Sequence, residues 1–229
     1  MRQKLVVLSG AGMSAESGIS TFRDSNGLWN NHRVEDVATP EGFAANPKLV
    51  LDFYNERRRE LLKTKPNAGH EGLAALEKDF DVHIVTQNVD NLHEQAGSSH
   101  VVHLHGELMK SCSVRDLNKP YDISPENPDL HPGDKDPYGN QLRPFIVWFG
   151  EAVPMIEPAI QLVESCDIFV VIGTSLNVYP AAGLLNYVRN RHPIYLIDPN
   201  EVKTSRSDIQ VIRAGASEGV KRLRALLSK

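Results

Sequence analysis

Seven short runs rich in β-branched residues recur along the chain: LVVLS (5–9), VHIVTQN (82–88), VVHLH (101–105), FIVWF (145–149), IFVVIGT (168–174), IYLID (194–198) and IQVIR (209–213). Most are apolar almost throughout, not at every second position. Strands of that kind need cover on both faces, and the segments that cover them are helices. Helical patterns fall between or after the runs, at 47–63, 67–79, 154–165, 181–191 and 217–228. The alternation predicts a parallel α/β sheet. Two stretches break it. Residues 24–66 hold about two helices and no strand, while residues 107–144, rich in Pro, Gly, Asn and Asp, read as one long connection. Both are expected to build a smaller layer over the sheet.

With 229 residues, 41% hydrophobic and 24% charged, the chain reads as one large soluble domain. A net charge of −4 leaves no broad basic footprint, so nucleic acid is not an expected partner. The run RRRELLKTK (57–65) reads as the solvated side of a helix. No apolar run reaches the ~18–20 residues of a membrane span, and the N-terminus lacks a secretory pattern. A cytoplasmic location is therefore expected, with no membrane partner. Only Cys112 and Cys166 are present, which excludes a disulfide framework and a four-cysteine zinc site.

Chemistry gathers at the ends of the apolar runs. After the first, Gly10-x-Gly12-x-x-Ala15 reads as a dinucleotide-binding turn, in which glycines let the backbone bend tightly and approach a pyrophosphate. An ordinary unit of this type continues through a full helix and a second strand to an acidic ribose ligand. Here Gly18 ends the helix early, and the polar STFRDSNGLWNNHR (20–33) follows. Ser14, Glu16 and Ser17 lie on the first helical turn, and Phe22 and Arg23 offer a ring and a guanidinium for a flat cofactor. The plain alternative is a packed Phe beside a surface Arg.

In TQNVDNLHEQAG (86–97), Gln87, Asn88 and Asp90 follow a strand's carboxyl end, where open α/β sheets place ligands. Helix capping near Asn91 accounts for one of them, not three. In VVHLHGEL (101–108), His105 ends a strand just before Gly106 and suits a general base. His103 and His105 share a strand face, so a metal pair with Glu107 is the competing reading. Gly173, Thr174 and Ser175 end another run, and Asp198 in IDPNE (197–201) supplies an acid at a strand end.

Taken together, GAGMSAESGISTFR, TQNVDNLHEQAG, HLHGEL, VWFGE, GTS and DPN, in this order from Leu5 to about Leu227, resemble the sirtuins, NAD-dependent protein-lysine deacylases. The resemblance implies one catalytic domain over 1–229. Its Rossmann-like part would comprise 1–23, 67–106 and 145–229, and its small domain the insertions 24–66 and 107–144. NAD would contact Gly10, Ala11, Gly12, Ser14, Glu16, Phe22, Arg23 and Trp29, with Gly173, Thr174, Ser175, Asp198, Pro199, Asn200 and Ala216. Gln87, Asn88, Val89 and Asp90 would line the nicotinamide and ribose pocket, with Asn88 and Asp90 sharing in catalysis. His105 would be the base. VWFGE, including Val147, Phe149, Gly150 and Glu151, would flank the substrate backbone with Val178 opposite. The acyl oxygen would displace nicotinamide, and the products would be free lysine and O-acyl-ADP-ribose. The partners implied are acylated lysine side chains of proteins, and a monomer is expected.

Three features set this chain apart within the resemblance. Most sirtuins hold zinc with two Cys-x-x-Cys pairs; here Cys112 is followed by Arg115 and no later pair exists, so no zinc is expected. Asp198 stands where asparagine is usual. Tyr54 and Arg57, three apart on a helix, resemble the Tyr-x-x-Arg pair that one sirtuin class uses for acidic acyl groups, which implies desuccinylation and demalonylation beside deacetylation. Competing readings are a protein ADP-ribosyltransferase on the same fold and a non-catalytic NAD sensor.

Overall fold

A computed structural model describes residues 2–19, 28–29, 31–204 and 206–228. The chain enters on β1 (Lys4–Ser9) and turns into α1 (Gly12–Ala15). A two-residue ladder, β2 (Leu28–Trp29) and β3 (His32–Arg33), leads to α2 (Val34–Val37), α3 (Pro40–Ala45) and α4 (Pro47–Leu61). Next come α5 (Ala68–Ala75), β4 (Asp81–Thr86), α6 (Leu92–Gln95) and β5 (Val101–His103). Three strands follow, β6 (Gly106–Ser113), β7 (Asp116–Asp122) and β8 (Leu142–Ile146). The chain closes with α7 (Ile156–Glu164), β9 (Ile168–Ile172), β10 (Ile194–Ile197), β11 (Ile209–Ile212) and α8 (Ala216–Leu227).

The main sheet is parallel, in the order β11-β10-β9-β1-β4-β5. Its pleat explains the continuous apolar runs. On β1, Leu5 and Val7 face one core with Leu73, Val220 and Leu223, while Val6 and Leu8 face another with Ala159, Val163 and Leu184. Because β1 sits between β9 and β4, chain connections leave it in opposite directions, which opens a crevice beyond the strand ends.

The two excursions pack as one unit. Strands β7-β6-β8 form an antiparallel sheet whose core joins α4 through Leu51, Tyr54, Leu108, Ile146 and Trp148. Helix starts are capped as their residues dictate. Thr39 accepts from Gly42 N at 2.9 Å, Asn46 accepts from Leu49 N at 3.1 Å, and Asn67 forms a capping box with His70.

Several expectations need correction. The strand expected at 145–149 is Leu142–Ile146, and it pairs antiparallel with β6 outside the main sheet. Among the described residues of 24–66 there are three helices and a short ladder, where about two helices and no strand were expected. Residues 107–144 carry paired strands where one long connection was expected, with Pro and Asp residues at bends and on the exposed β7. The helix expected at 181–191 is a 3₁₀ helix over Ala181–Tyr187. The strand at 101–105 stops at His103. The basic run is a solvated face only in part: Arg59, Lys63 and Lys65 are exposed, but Arg58 is fully buried, bonded to Pro128 O at 2.5 Å and to Asn55 Oδ1, and Arg57 is buried beside it. Among the described residues, no helix is long and apolar enough to cross a membrane.

Candidate active site

The crevice begins where β1 meets β9. Gly10 N donates to Ile172 O at 3.0 Å and Gly12 N to Gly173 O at 2.8 Å, so the glycine turn is stitched to the end of β9. A Cβ on Gly12 would lie 2.7 Å from Gly173 Cα, closer than real contacts allow. Glycine is required there for that approach. The helix that follows is only Gly12–Ala15, as Gly18 implied.

The loop after β4 is held by side chains from this turn. Asn88 Nδ2 donates to Gly10 O and to Ser14 Oγ, each at 3.1 Å, and Ser14 Oγ donates to Asp90 Oδ2 at 2.9 Å. The second Asp90 oxygen accepts from Leu92 N at 3.2 Å. Capping of α6 thus uses Asp90 alone, while Asn88 reaches back across the crevice. Burial pushes the Asp90 carboxyl above its usual range, against the bonds from Leu92 and Ser14. Gln87 Nε2 donates to Thr174 Oγ1 at 3.1 Å, tying this loop to the end of β9.

His105 follows β5 and is half-buried. Its Nδ1 lies 3.0 Å from Gln87 O, an acceptor only, so Nδ1 carries the proton and Nε2 keeps the lone pair. Burial lowers its pKa, against that carbonyl, and the ring is neutral at pH 7. A Cβ on the next residue, Gly106 (φ +84°), would run into Phe145 O, which explains the His-Gly step. The metal-pair reading fails here. His103 uses both ring nitrogens on Asn88 O and Glu94, and Glu107 pairs with Lys110 at 2.8 Å. Among the described residues, no group of three His, Cys, Asp or Glu is placed to hold a metal ion.

Asp198 ends β10, partly exposed, and its Oδ1 accepts from Asn200 N at 2.8 Å. Ala216 opens α8 and is buried; Glu16 Oε1 accepts from Ser217 N at 3.2 Å, so its carboxylate caps that helix. Trp29 meets Phe53 edge-on, with ring centroids 4.9 Å apart. Phe22 and Arg23 lie outside the described residues. Val147 N donates to His105 O at 2.9 Å and Phe149 N to Ala38 O at 3.0 Å, while Val178 O accepts from Ala182 N at 2.9 Å. Tyr54 is fully buried and its hydroxyl accepts from Trp148 Nε1 at 3.0 Å.

Sequence reasoning missed two things. Arg143 grips both oxygens of Glu151, at 2.6 and 3.1 Å, and Glu151 Oε2 also accepts from Trp148 N at 2.8 Å. The Glu151 carboxylate is therefore spent internally, and its main-chain N–H donates to Trp148 O at 3.0 Å. No local pattern signals a pair eight residues apart. The second is Asn55, buried on α4, which exchanges two 2.9 Å bonds with the main chain of Leu130. Its i, i+3 spacing to Arg58 was the available signal.

Comparison with known proteins agrees with this geometry. The model of the Sir2 family matches residues 10–180. The chain is 63% identical over 229 residues to an NAD-dependent protein deacylase of Bacteroides thetaiotaomicron, covering 98% of each chain. It is 54% identical over 197 residues to one from Helicobacter pylori, covering 86% of this chain and 85% of that one. A Sir2 homologue solved with NAD superimposes with a TM-score of 0.85 at 39% identity, covering 99% of this chain and 91% of the other. A Sir2–p53 peptide–NAD+ complex gives 0.80 at 30% identity, covering 99% and 94%. The chain belongs to the Sir2 family, the sirtuins.

Proposed function

We propose that this chain is an NAD-dependent protein-lysine deacylase that passes the acyl group to ADP-ribose. The observation that carries the reading is the His105–Gln87 contact. It makes Nε2 the one basic atom of a neutral ring, anchored to the loop that also bears Asn88 and Asp90. The donor set suits NAD: main chain approaches closely at Gly10, Gly12 and Gly173, and Asp198 offers a part-exposed carboxylate to a ribose hydroxyl. When bound, NAD would supply an electrophilic ribose carbon for the acyl oxygen, with nicotinamide as the leaving group. His105 Nε2 takes a proton from a ribose hydroxyl. Asn88 and Asp90, fixed through Ser14, orient the sugar, and the Val147–Glu151 segment with Val178 holds the substrate backbone.

The acyl preference follows from α4. The Arg57 side chain is 9% exposed, one turn from Tyr54, with its guanidinium 4.4 Å from the Phe53 ring centre. Its carboxylate partners Glu56 and Glu60 are themselves 56% and 59% exposed, so a succinyl or malonyl carboxylate can compete for the guanidinium from inside the acyl pocket. No zinc is proposed. Arg58 and Asn55 tie α4 to residues 128–130, and Cys112 is buried against Pro144 O.

The test is a panel of identical peptides bearing acetyl-, malonyl- or succinyl-lysine, each incubated with NAD. Release of nicotinamide and O-acyl-ADP-ribose, with acidic acyl groups removed at least as efficiently as acetyl, is expected. Protein-bound ADP-ribose without deacylation indicates a transferase instead. NAD binding without nicotinamide release indicates a sensor.

A further inference from the structure

His103 lies two residues before the proposed base, and the proposed reaction gives it no task. Its side chain is 7% exposed and faces an acceptor at each nitrogen. Nδ1 is 3.1 Å from Asn88 O, and Nε2 is 2.8 Å from Glu94 Oε1. A carbonyl and an ionised carboxylate only accept, so both nitrogens carry protons and the ring is an imidazolium. Burial works against that charge, but the hydrogen bond and charge of Glu94 outweigh it and hold the His103 pKa above the usual value. The Glu94 carboxyl responds in kind: burial raises it, and His103 brings it below its usual range. His105, with a single partner, stays neutral. One strand end thus presents a charged and an uncharged imidazole side by side.

Their contacts have a shared target. Gln87 O belongs to the peptide before Asn88 Cα, and Asn88 O to the peptide after it. The two rings therefore hold both peptide planes that flank Asn88, which fixes its φ and ψ. With those angles set, its amide reaches Gly10 O and Ser14 Oγ.

We propose that His103, clamped by Glu94, is a positioning residue that aims Asn88 by donating Nδ1–H to its carbonyl. The inference rests on the deacylase reading for its kinetic consequence, though not for its geometry. Two substitutions separate the donor from the ion pair. His103→Asn places an amide nitrogen where Nδ1 stood and loses Glu94. His103→Gln places it where Nε2 stood, keeping Glu94 and losing Asn88 O. Purified protein is assayed with NAD and acyl peptide, its NAD affinity is measured by calorimetry, and both variants are crystallised.

In the Gln variant we expect kcat to fall about tenfold or more with peptide KM nearly unchanged, as for a slightly misplaced reacting group. In the Asn variant we expect rescue to within about threefold of wild type. Equal losses in the two variants, or none in either, would overturn the inference and leave His103 as half of a structural ion pair. If wild type turns over no acyl peptide, the proposed function fails, and the crystal structures still decide the positioning. Asn88 should keep Gly10 O and Ser14 Oγ in the Asn variant and lose them in the Gln variant; the same contacts in both would refute it.

Discussion

The guanidinium carbon of Arg143 lies 3.3 Å from the centre of the Trp148 ring, stacked on it, while its nitrogens hold the Glu151 carboxylate. Arg143 is buried and Glu151 mostly so, with side-chain exposures of 5% and 14%. Arg143→Met would leave Glu151 without its counter-charge, and breaking a buried pair from one side typically costs about 3–5 kcal/mol. Urea denaturation should show a loss of that order. Replacing both partners by apolar residues should cost less than Arg143→Met alone. A loss below about 1 kcal/mol in the single variant would mean that water screens the pair.

His105→Ala should leave NAD affinity within a few fold and lower product formation by about 10²–10⁴-fold, the usual share of a general base. The pH profile should agree. Burial holds the His105 pKa below the ordinary imidazole value of about 6.5, and the active form is the neutral one. Activity controlled by this ring should be flat from pH 7 upward and fall with acid only below about 6.5. A limb centred above pH 7 in kcat/KM would assign the titration to another group.

Arg57→Met should weaken desuccinylation and demalonylation by about 1.5–3 kcal/mol, the range for a hydrogen bond to a charged group, and spare or improve deacetylation. Steady-state kinetics on matched peptides checks this. Equal loss on every acyl group would make Arg57 a structural residue only.

His70 and His93 pack edge to face with centroids 4.8 Å apart, both essentially unexposed. Burial lowers their pKa values to about 4 and about 3. The unfolded chain therefore binds more protons below about 6.5, and stability falls as pH drops from there toward 4. Each ring should contribute up to about 1.4 kcal/mol per pH unit within that window and nothing above it. Denaturant titrations at pH 7, 6, 5 and 4.5 on wild type and His93→Gln should show the smaller slope in the variant. Parallel curves would mean that the pair stays solvated.

Chelator treatment should change neither activity nor melting temperature, because the chain lacks the cysteine pairs that a structural zinc requires. One tightly bound zinc per purified chain would contradict this, with His131 and Asp134 the first ligands to examine.

The parallel sheet was legible because both-face burial leaves a continuous apolar signature on β1, β9 and β10, which no other common arrangement needs. The strand-end polar residues were legible for a related reason, since Gln87, Asn88 and Asp90 exceed what one helix cap requires. The small sheet was not legible. Strand β7 is exposed along nearly its whole length and carries little apolar pattern, so its sequence resembles a loop. FIVWF misled for the opposite reason: its Ile146 and Trp148 fill the core beside α4, a role that strand periodicity cannot tell from the main sheet. Arg58 shows the limit of charge patterning, because a basic run says nothing about which carbonyls wait for it. His103 entered only a competing metal-pair reading, because its partner, Glu94, sits on a helix that only the fold brings near.

The hydrogen bond from Val147 N to His105 O joins two parts of the molecule with different tasks. The carbonyl that holds the proposed substrate segment belongs to the residue that carries the proposed base. Selection for new target proteins, acting on the proposed substrate segment 147–151, would therefore tug on the proposed proton acceptor. Such a segment has little room to drift: it is free to vary its side chains, but a change in its path shows up as slower chemistry before it shows up as altered preference. Target range in this chain should accordingly evolve through side chains around a fixed backbone, and loop insertions there should be lost to inactivity.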